Sequence, residues 1–342
     1  MREITTIGLD LAKNVFQAHA AAADGSTIFS RKLRRSEVLE FFQKTPPCLV
    51  GLEACGGAHH WARQIRALGH EVRMMPPAYV KPFVKRGKTD AGDAEAISEA
   101  VGRKTMRFVP IKPAEQQADA VVLKTRALLV GQQTQAINAL RAHLAEFGII
   151  AGAGKSKVAP LIAIVDDEAD TRLPSAARFA LHHLAREIER LADQIKTMEK
   201  AIVVATRRDD TARRLTTIPG IGAITAATIL ALVPDPAGFR SSRHFAAWLG
   251  LTPKPHSSGG KERLGRISKM GNPILRSLLV VGATSVLRYA RNNPNASQWI
   301  TALLARRPYK VTAVALANKM ARIAWALLVK GGSYRAAGII SA

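Results

Sequence analysis

Four carboxylates in this chain lie where an acid is unfavourable without a partner. Asp10 lies inside the apolar segment 7–11 and Glu53 inside the apolar segment 49–54, and both segments have the pattern of buried strands. A carboxylate in a central strand is destabilising unless a cation or a metal ion pairs with it. Asp90 and Asp93 are three residues apart and therefore share one face of a predicted helix. Taken singly, each acid could form an ion pair at a strand end, or, for Asp90, cap a helix.

As a set, these acids predict a metal site of the nuclease type. Carboxylates that converge from two strands and one helix repel each other unless divalent cations hold them. Ligands that are all oxygen suit Mg²⁺ or Mn²⁺, and two such ions can hold the attacking and leaving oxygens of a phosphodiester. The sequence therefore predicts Mg²⁺ or Mn²⁺ as the cofactor, with ligands Asp10, Glu53, Asp90 and Asp93.

The elements that must position these acids alternate between strand and helix patterns. Apolar periodicity predicts strands at 5–11, 15–22 and 27–33, with a turn at Ala23-Asp24-Gly25, and further strands at 48–54 and 71–75. Helices are predicted at 36–44, 59–68 and 90–101. Antiparallel strands followed by parallel strands that are joined by helices make a mixed α/β sheet.

From residue 113 onward the pattern becomes helical. A helix is predicted at 114–147 and a glycine-containing loop at 149–156. Further along, apolar residues recur at alternating spacings of three and four, at Leu181, Leu184, Ile188, Leu191, Ile195, Met198 and Ile202. Such a stripe fits a long amphipathic helix packed within one chain, and it also fits an intermolecular coiled coil that joins protomers into a dimer or tetramer. The sequence leaves both arrangements open.

The charge of the chain indicates a polyanionic partner. Lys and Arg number 50 against 26 Asp and Glu, which gives a formal net charge of +24. Residues 240–342 hold 17 of the basic residues and a single acid, Glu262. Because phosphates release counterions when they bind Lys and Arg, this third of the chain is predicted to bind nucleic acid. Only 5% of the residues are aromatic and none interleave with the basic stretches, so no base-stacking surface is predicted.

A tight turn precedes this basic region. Pro219-Gly220-Ile221-Gly222 separates two helical patterns. This spacing is typical of a helix-hairpin-helix, in which backbone N–H groups of the turn, here at Gly220 and Gly222, bind a phosphate. An inert turn between two helices is the alternative.

The composition disfavours several other protein classes. Cys48 and Cys55 cannot build a disulfide framework and lack the spacing of metal ligands. The N-terminal residues are too acidic for a signal peptide. The longest uncharged stretch, 215–234, is interrupted by Pro219-Gly220 and falls short of the roughly 20 helical residues that a bilayer requires. We expect a cytoplasmic, nucleoid-associated protein with no membrane partner.

Several motifs together carry a specific resemblance to a known family. They are the strands Gly8-Leu9-Asp10 and Gly51-Leu52-Glu53, the helix start Thr89-Asp90-Ala91-Gly92-Asp93, the turn at 218–222 and the segments 245–253 and 256–272. In this order they resemble the DEDD transposases of the one-ten insertion-sequence family, which are bacterial, bridge-RNA-guided recombinases. The Ser-Ser-Gly-Gly-Lys form at 257–261 is similar to the eleven-eleven subgroup.

The resemblance implies a fold in three parts. An α/β RuvC-like domain of the ribonuclease-H type is expected at 1–112, and a helical, coiled-coil oligomerisation region at 113–206. A basic, mostly α-helical transposase domain with the helix-hairpin-helix is expected at 207–342.

The resemblance also implies an active site shared between domains. The four acids match acids that bind Mg²⁺, and Ser258, directly before Gly259, matches a serine that attacks DNA and forms a phosphoserine link. Nearby basic residues are expected to bind nucleic acid: Lys254, Lys261, Arg263, Arg266 and Lys269. The implied partners are donor and target DNA, a bridge RNA and further copies of the chain.

Two other functions remain open at this point. A metal-dependent DNA nuclease of the Holliday-junction resolvase type would need only the four acids and water. A non-catalytic nucleic-acid-binding protein would need the basic C-terminal third and no acids in buried strands. Only the transposase would form a covalent protein–DNA adduct.

Overall fold

The structure is a computed structural model that describes residues 3–85, 87, 89–261, 263–290, 293 and 297–335. The chain divides into two compact units, Met1–Gln117 and Ala118–Ala342.

The first unit is built on a mixed sheet, as the alternation of patterns predicts. Its strands are β1 (Thr6–Asp10), β2 (Val15–Ala21), β3 (Thr27–Arg34), β4 (Leu49–Glu53) and β5 (Glu71–Met75), in the spatial order β3-β2-β1-β4-β5. Strand β2 is antiparallel to both of its neighbours, β1 and β3, whereas β1, β4 and β5 run parallel. The helices are α1 (Val38–Lys44), α2 (Ala58–Ala67), α3 (Pro77–Val80) and α4 (Asp90–Val101).

The neighbouring strands β1 and β4 carry leucines on one face of the sheet and glycines on the other. Leu9 and Leu52 are fully buried in the cluster that contains Ile65 of α2. Gly8 and Gly51, which pair in register, lie on the other face beneath α4. A Cβ atom placed on Gly8 would lie 2.1 Å from the backbone oxygen of Ala94, and one on Gly51 would lie 2.9 Å from Cβ of Val101. The absence of side chains at these positions lets α4 lie directly on the sheet.

We expect Gly8→Ala to destabilise the protein by about 3 kcal/mol, because the added methyl collides with the α4 backbone, which cannot move aside as a flexible side chain would. The free energy of unfolding in denaturant measures this effect. Gly131→Ala is the matched control, since a Cβ there meets no atom within 4 Å. It should stabilise the protein by about 0.5–1 kcal/mol, because alanine is the better helix former. Equal stability of the two variants would contradict the close packing of α4.

The second unit is mostly helical. Its helices are α5 (Ala114–Ala145), which begins in the first unit, α6 (Val158–Asp166), α7 (Ser175–Arg208), α8 (Asp210–Thr216), α9 (Ala223–Leu232), α10 (Ser242–Trp248), α11 (Pro273–Ala290), α12 (Gln298–Arg306) and α13 (Tyr309–Lys330). Between α10 and α11, β6 (Pro253–Pro255) and β7 (Leu264–Ile267) form a two-stranded antiparallel sheet.

The apolar stripe of the long helix α7 is buried within its own chain. Leu181 and Ile188 lie in one cluster with Leu140 of α5. The side-chain nitrogen of Gln133 donates to the backbone oxygen of Ile188 at 3.2 Å. Of the two arrangements that the sequence leaves open, the structure has the stripe packed within one chain. A second copy is therefore not needed to bury this face, and the coiled coil between protomers stays a prediction.

The core of the second unit lies around α13. Ala317, Met320 and Ala321 of this helix are buried in one cluster with Leu279 and Ala283 of α11. Among the described residues, α13 is the one helix long and apolar enough to cross a membrane by length and composition. Core helices of soluble proteins meet the same criteria, and one face of α13 packs in the core in this way.

Candidate active site

Asp10 and Glu53 lie side by side at one edge of the sheet. Strands β1 and β4 are parallel neighbours whose last paired residues are Leu9 and Leu52, so the next residue on each strand is an acid. Because side chains alternate between faces, each acid points to the same face as the glycine two residues before it. That face is the one on which α4 lies. The spacing of Gly8 to Asp10 and of Gly51 to Glu53 thus places each acid on the face of the sheet where the glycines make room for α4.

The first turn of α4 contributes the other two acids. The helix begins at Asp90, and Thr89 is its N-cap, with Oγ1 accepting from the Gly92 N–H at 3.1 Å. The interpretation of Asp90 as the cap is therefore wrong, because Thr89 already accepts this N–H. Asp90 is exposed and Asp93 is half-buried. Acids in the first turn are stabilised by the positive end of the helix dipole.

Burial and the charges of neighbouring acids raise the pKa of both Asp10 and Glu53. Burial, followed by the charges of Asp93, Asp90 and Glu53, raises the pKa of Asp10 to about 6. Burial and the charge of Asp93 also raise the pKa of Glu53. Within the described part of the chain, no basic side chain forms an ion pair with any of the four. The structure brings the predicted acids together and leaves their negative charge unbalanced among these residues.

The four acids suit a hard divalent cation by their chemistry. Every donor is a carboxylate oxygen, which is the ligand type that Mg²⁺ and Mn²⁺ prefer. As the side chains stand, no three His, Cys, Asp or Glu residues in the described ranges are close enough to hold one ion. Carboxylates without a counterion repel each other, so the side chains would have to rotate inward to share a cation. The backbone determines the face and the edge of the sheet at which the acids lie, and a change of side-chain rotamer would bring their oxygens together.

The sequence does not indicate that two further residues lie near the acids. Cys55 lies just after β4, and partial burial of its thiol, followed by the charges of Asp10 and Glu53, raises the pKa, so the thiol stays protonated at neutral pH. Gln17 is the cross-strand partner of Asp10 on β2, and its side-chain nitrogen donates to Ser30 Oγ at 3.0 Å. The roles of Gly8 and Gly51 were also missed, although the shared spacing of glycine and acid is visible in the sequence.

In the second unit, Ser258 lies at the tip of a defined β-hairpin. Ser258 pairs with Lys261, whose N–H donates to the Ser258 backbone oxygen at 3.1 Å. The two residues between them, Gly259 and Gly260, have φ angles of +55° and +74°. A two-residue hairpin turn with both φ angles positive favours glycine strongly. The Gly-Gly pair thus forms a tight two-residue turn between Ser258 and Lys261.

The two adjacent serines differ in their contacts. Ser257 Oγ accepts from the Arg263 N–H at 3.2 Å. Ser258 is exposed, and among the described residues nothing hydrogen-bonds to its hydroxyl. The predicted basic residues around the hairpin are all exposed: Lys254, Lys261, Arg263, Arg266 and Lys269. The hairpin therefore presents a serine hydroxyl among cations.

The base of this hairpin is held firmly. The Asn318 side-chain nitrogen donates to the Leu251 backbone oxygen at 3.1 Å, and the Ser268 N–H donates to the Thr252 oxygen at 2.9 Å. Gly250, at φ +73°, has no room for a Cβ, which would lie 2.3 Å from the Met270 backbone oxygen. These contacts fix the strands that carry the serine.

The turn between α8 and α9 is packed against another helix. Gly220 has φ +86°, and a Cβ on it would lie 2.8 Å from the backbone oxygen of Gly282 in α11. Glycine at 220 is thus required by conformation and by packing. Gly222 is exposed and is the N-cap of α9. Phosphate binding by Gly220 and Gly222 stays a prediction.

Comparison with known proteins identifies the family of this chain. The family described as Transposase IS116/IS110/IS902 matches residues 212–298, and the DEDD transposase domain of the IS110 type matches residues 7–149. The chain is 49% identical to a Sinorhizobium fredii protein that bears the transposase name y4pF/y4sB, over 98% of this chain and 87% of that protein. It is 39% identical to the transposase for insertion sequence element IS1328 of Yersinia enterocolitica, over 97% of this chain and 98% of that protein.

The chain belongs to the IS116/IS110/IS902 family of transposases. This confirms the predicted resemblance, and it decides against a non-catalytic nucleic-acid-binding protein, because a transposase cleaves DNA and exchanges strands. The DEDD domain also implies the use of a divalent metal. All four acids of the transposase lie inside the domain match at 7–149, and Ser258 lies inside the match at 212–298.

The raised pKa of Asp10 leads to a stability prediction for the transposase. A carboxyl with a folded-state pKa of about 6 instead of 3.8 destabilises the fold when ionised, so stability falls as the pH rises from about 4 to 6. Asp10→Asn removes this charge. In EDTA at pH 7.5 we expect the variant to be more stable than the wild type by about 1 kcal/mol, a value reduced because solvent reaches the site. The difference should vanish near pH 4.

Thermal melting across this pH range measures the effect. Asp119→Asn, at an exposed acid of α5, is the control and should stay within about 0.5 kcal/mol of the wild type at every pH. If Asp10→Asn were less stable than the wild type at pH 7.5 in EDTA, the unbalanced charge at this site would be disproved.

Proposed function

We propose that this transposase cleaves and exchanges DNA strands through a phosphoserine intermediate at Ser258, with Mg²⁺ or Mn²⁺ held by Asp10, Glu53, Asp90 and Asp93. The observation that carries the proposal is the exposed Ser258 hydroxyl, without a hydrogen-bond partner among the described residues, at the tip of a basic hairpin. Family membership supports the transposase activity, and the uncompensated acids support the cation.

The carboxylates contribute the electrostatic part of the reaction. When bound, divalent cations stabilise the charge that develops on the attacking and leaving oxygens of a phosphodiester. Asp10 and Glu53 present their oxygens from the sheet edge, and Asp93 and Asp90 present theirs from the first turn of α4. After burial, the charges of Asp93, Asp90 and Glu53 contribute to the raised pKa of Asp10, and a bound cation would offset this repulsion.

The serine contributes the covalent part. Ser258 Oγ attacks the phosphorus, its proton leaves to a base or to water, and the bond from phosphorus to a deoxyribose oxygen breaks as that oxygen takes up a proton. A hydroxyl is a weak nucleophile until a base or a metal activates it. The Gly259-Gly260 turn lacks side chains, so a DNA backbone can approach the hydroxyl closely. Lys254, Lys261 and Arg263 would hold the phosphate through charge-assisted hydrogen bonds.

The partners follow from the charge and from the family resemblance. Donor and target DNA would bind the basic C-terminal region, including Arg266 and Lys269, and also the turn at Gly220 and Gly222 that precedes this region, through backbone phosphates. A bridge RNA would read the DNA sequence by base pairing, which leaves the protein to bind shape and charge. The transposase would work as a dimer or tetramer in the cytoplasm, associated with the nucleoid.

Ser258→Ala tests the covalent step. We expect this variant to form no covalent adduct with DNA under denaturing conditions and to retain DNA binding, because the loss of a hydroxyl changes neither charge nor core packing. Ser257→Ala is the matched control, since Ser257 Oγ already accepts from the Arg263 N–H. It should reduce adduct formation much less. Mass spectrometry of the digested wild-type adduct should place the modification on Ser258.

Two results would contradict this assignment. An adduct on Ser257 or on a tyrosine such as Tyr289 would place the nucleophile elsewhere. Strand cleavage by Ser258→Ala at the wild-type rate would mean that water attacks, as in a metal-dependent nuclease of the Holliday-junction resolvase type.

Glu53→Gln tests the carboxylate site separately. Removal of one ligand charge should reduce strand cleavage in Mg²⁺ by about 10³-fold, which corresponds to a loss of several kcal/mol of transition-state stabilisation. Glu71→Gln, at the exposed start of β5, serves as the control and should cleave normally. Normal cleavage by Glu53→Gln would remove Glu53 from the active site.

A further inference from the structure

A groove in the second unit lies apart from the serine at the hairpin tip. It has a volume of about 1150 Å³ and lies between strand β7 and the helices α12 and α13. Gly265, Arg266 and Ile267 of β7 line one side, the outer face of α13 lines the other, and Trp299 of α12 contributes an aromatic ring.

The outer face of α13 is apolar although it is open to water. The helix buries Ala313, Ala317 and Ala324 in the core, whereas Val311 lines the groove and Val314 both lines the groove and packs against the core. Val311 is 51% exposed and Trp299 is 37% exposed. Apolar surface in contact with water is unfavourable by about 25 cal/mol per Å², and a concave patch of it indicates a binding site.

The rim of the groove is strongly cationic. Five basic side chains line it, namely Arg266, Lys269, Lys310, Lys319 and Arg322, and the described lining contains no acid. The Lys319 ammonium lies 4.4 Å from the centre of the Trp299 ring. A cation at this distance from an indole stabilises the position of the ring through a cation–π interaction. The same ammonium can also bind a phosphate. Such a rim is complementary to an anion whose other part is apolar.

An unpaired nucleotide has this combination of properties. Proteins that bind single-stranded nucleic acid place bases on aromatic rings and phosphates on neighbouring cations. Duplex DNA offers phosphates, but its bases are stacked inside and cannot reach an apolar floor. We propose that this groove binds an unpaired nucleotide of single-stranded DNA, with the base on the exposed part of Trp299 that Lys319 does not cover and the flanking phosphates on Lys319 and Arg322.

This site was not predicted from the sequence, since aromatic and basic residues do not interleave along the chain. The fold brings Trp299 and Lys319 together from two different helices. Strand exchange exposes unpaired DNA, so a transposase has a use for such a site. The proposal stands whether or not Ser258 is the nucleophile.

The test compares the binding of a labelled single-stranded DNA oligonucleotide and its duplex to the full-length protein across a range of salt concentrations. Trp299→Ala should weaken single-strand binding about tenfold at every salt concentration, since base stacking contributes about 1–3 kcal/mol per base. Its salt dependence should not change, and duplex binding should stay within about twofold. Arg322→Gln should instead reduce the log–log salt slope for the single strand by about 0.7.

Tyr289→Ala is the matched control, because Tyr289 is an aromatic residue of the same unit that is 72% exposed and does not line the groove. It should bind both DNAs as the wild type does. Melting curves should show all three variants folded, and Trp299→Phe, which keeps an aromatic ring, should retain most of the affinity.

Four outcomes would overturn the proposal. The first is undiminished single-strand binding by folded Trp299→Ala. The second is an equal loss for single strand and duplex, which would indicate a phosphate surface only. The third is a dependence on Trp299 that is seen with RNA and not with DNA. The fourth is a change of oligomeric mass in sedimentation without a change in DNA binding, which would assign the groove to a second copy of the chain.

Discussion

The close packing of α4 on the central strands is the constraint on which the first unit depends. Two glycines that are paired across β1 and β4 leave room for the helix backbone, and the acids two residues later emerge on the same face. The helix must then begin where its first-turn acids face the same sheet edge, and Thr89 fixes that beginning through its cap. The unbalanced negative charge at this edge is thus a product of backbone geometry.

The second unit uses glycine for a different purpose. At the hairpin tip, Gly259 and Gly260 adopt positive φ angles that set Ser258 opposite Lys261. At the base, Gly250 allows the chain segments to approach each other closely. If Ser258 is the nucleophile that we propose, such a support would lower the entropy loss when the hydroxyl meets a phosphate. The groove beside β7 extends the same cationic surface with an apolar floor.

Much of the first unit could be predicted because its strands and helices carry clear periodicities. The five strands and the helix at Asp90–Val101 lie within a residue or two of their predicted bounds. Asp10 and Glu53 could be recognised as candidates because charged residues are rare in apolar strands. What buries the apolar stripe of α7 could not be predicted, because an apolar face is buried equally well by its own chain or by a second copy.

The groove shows a further limit of sequence reasoning. Its parts come from β7, α12 and α13, and only the tertiary fold brings Arg266, Trp299 and Lys319 to one place. The cap at Thr89 was hidden for a simpler reason, since Asp90 is an equally good capping residue. Pattern and composition thus locate chemistry along the chain, whereas contacts between distant segments require the structure.

Helix α4 brings the four acids into one electrostatic unit, and a carboxyl titration of Asp10 measures this coupling. In ¹³C NMR of protein labelled at aspartate, without divalent cations, we expect the Asp10 carboxyl to titrate near pH 6, in line with its raised pKa of about 6. In Asp93→Asn its pKa should fall but stay above the ordinary value, because burial is the largest cause of the shift and Asp93 is the strongest charge that adds to it. An Asp10 pKa near 3.8, unchanged by Asp93→Asn, would contradict this coupling.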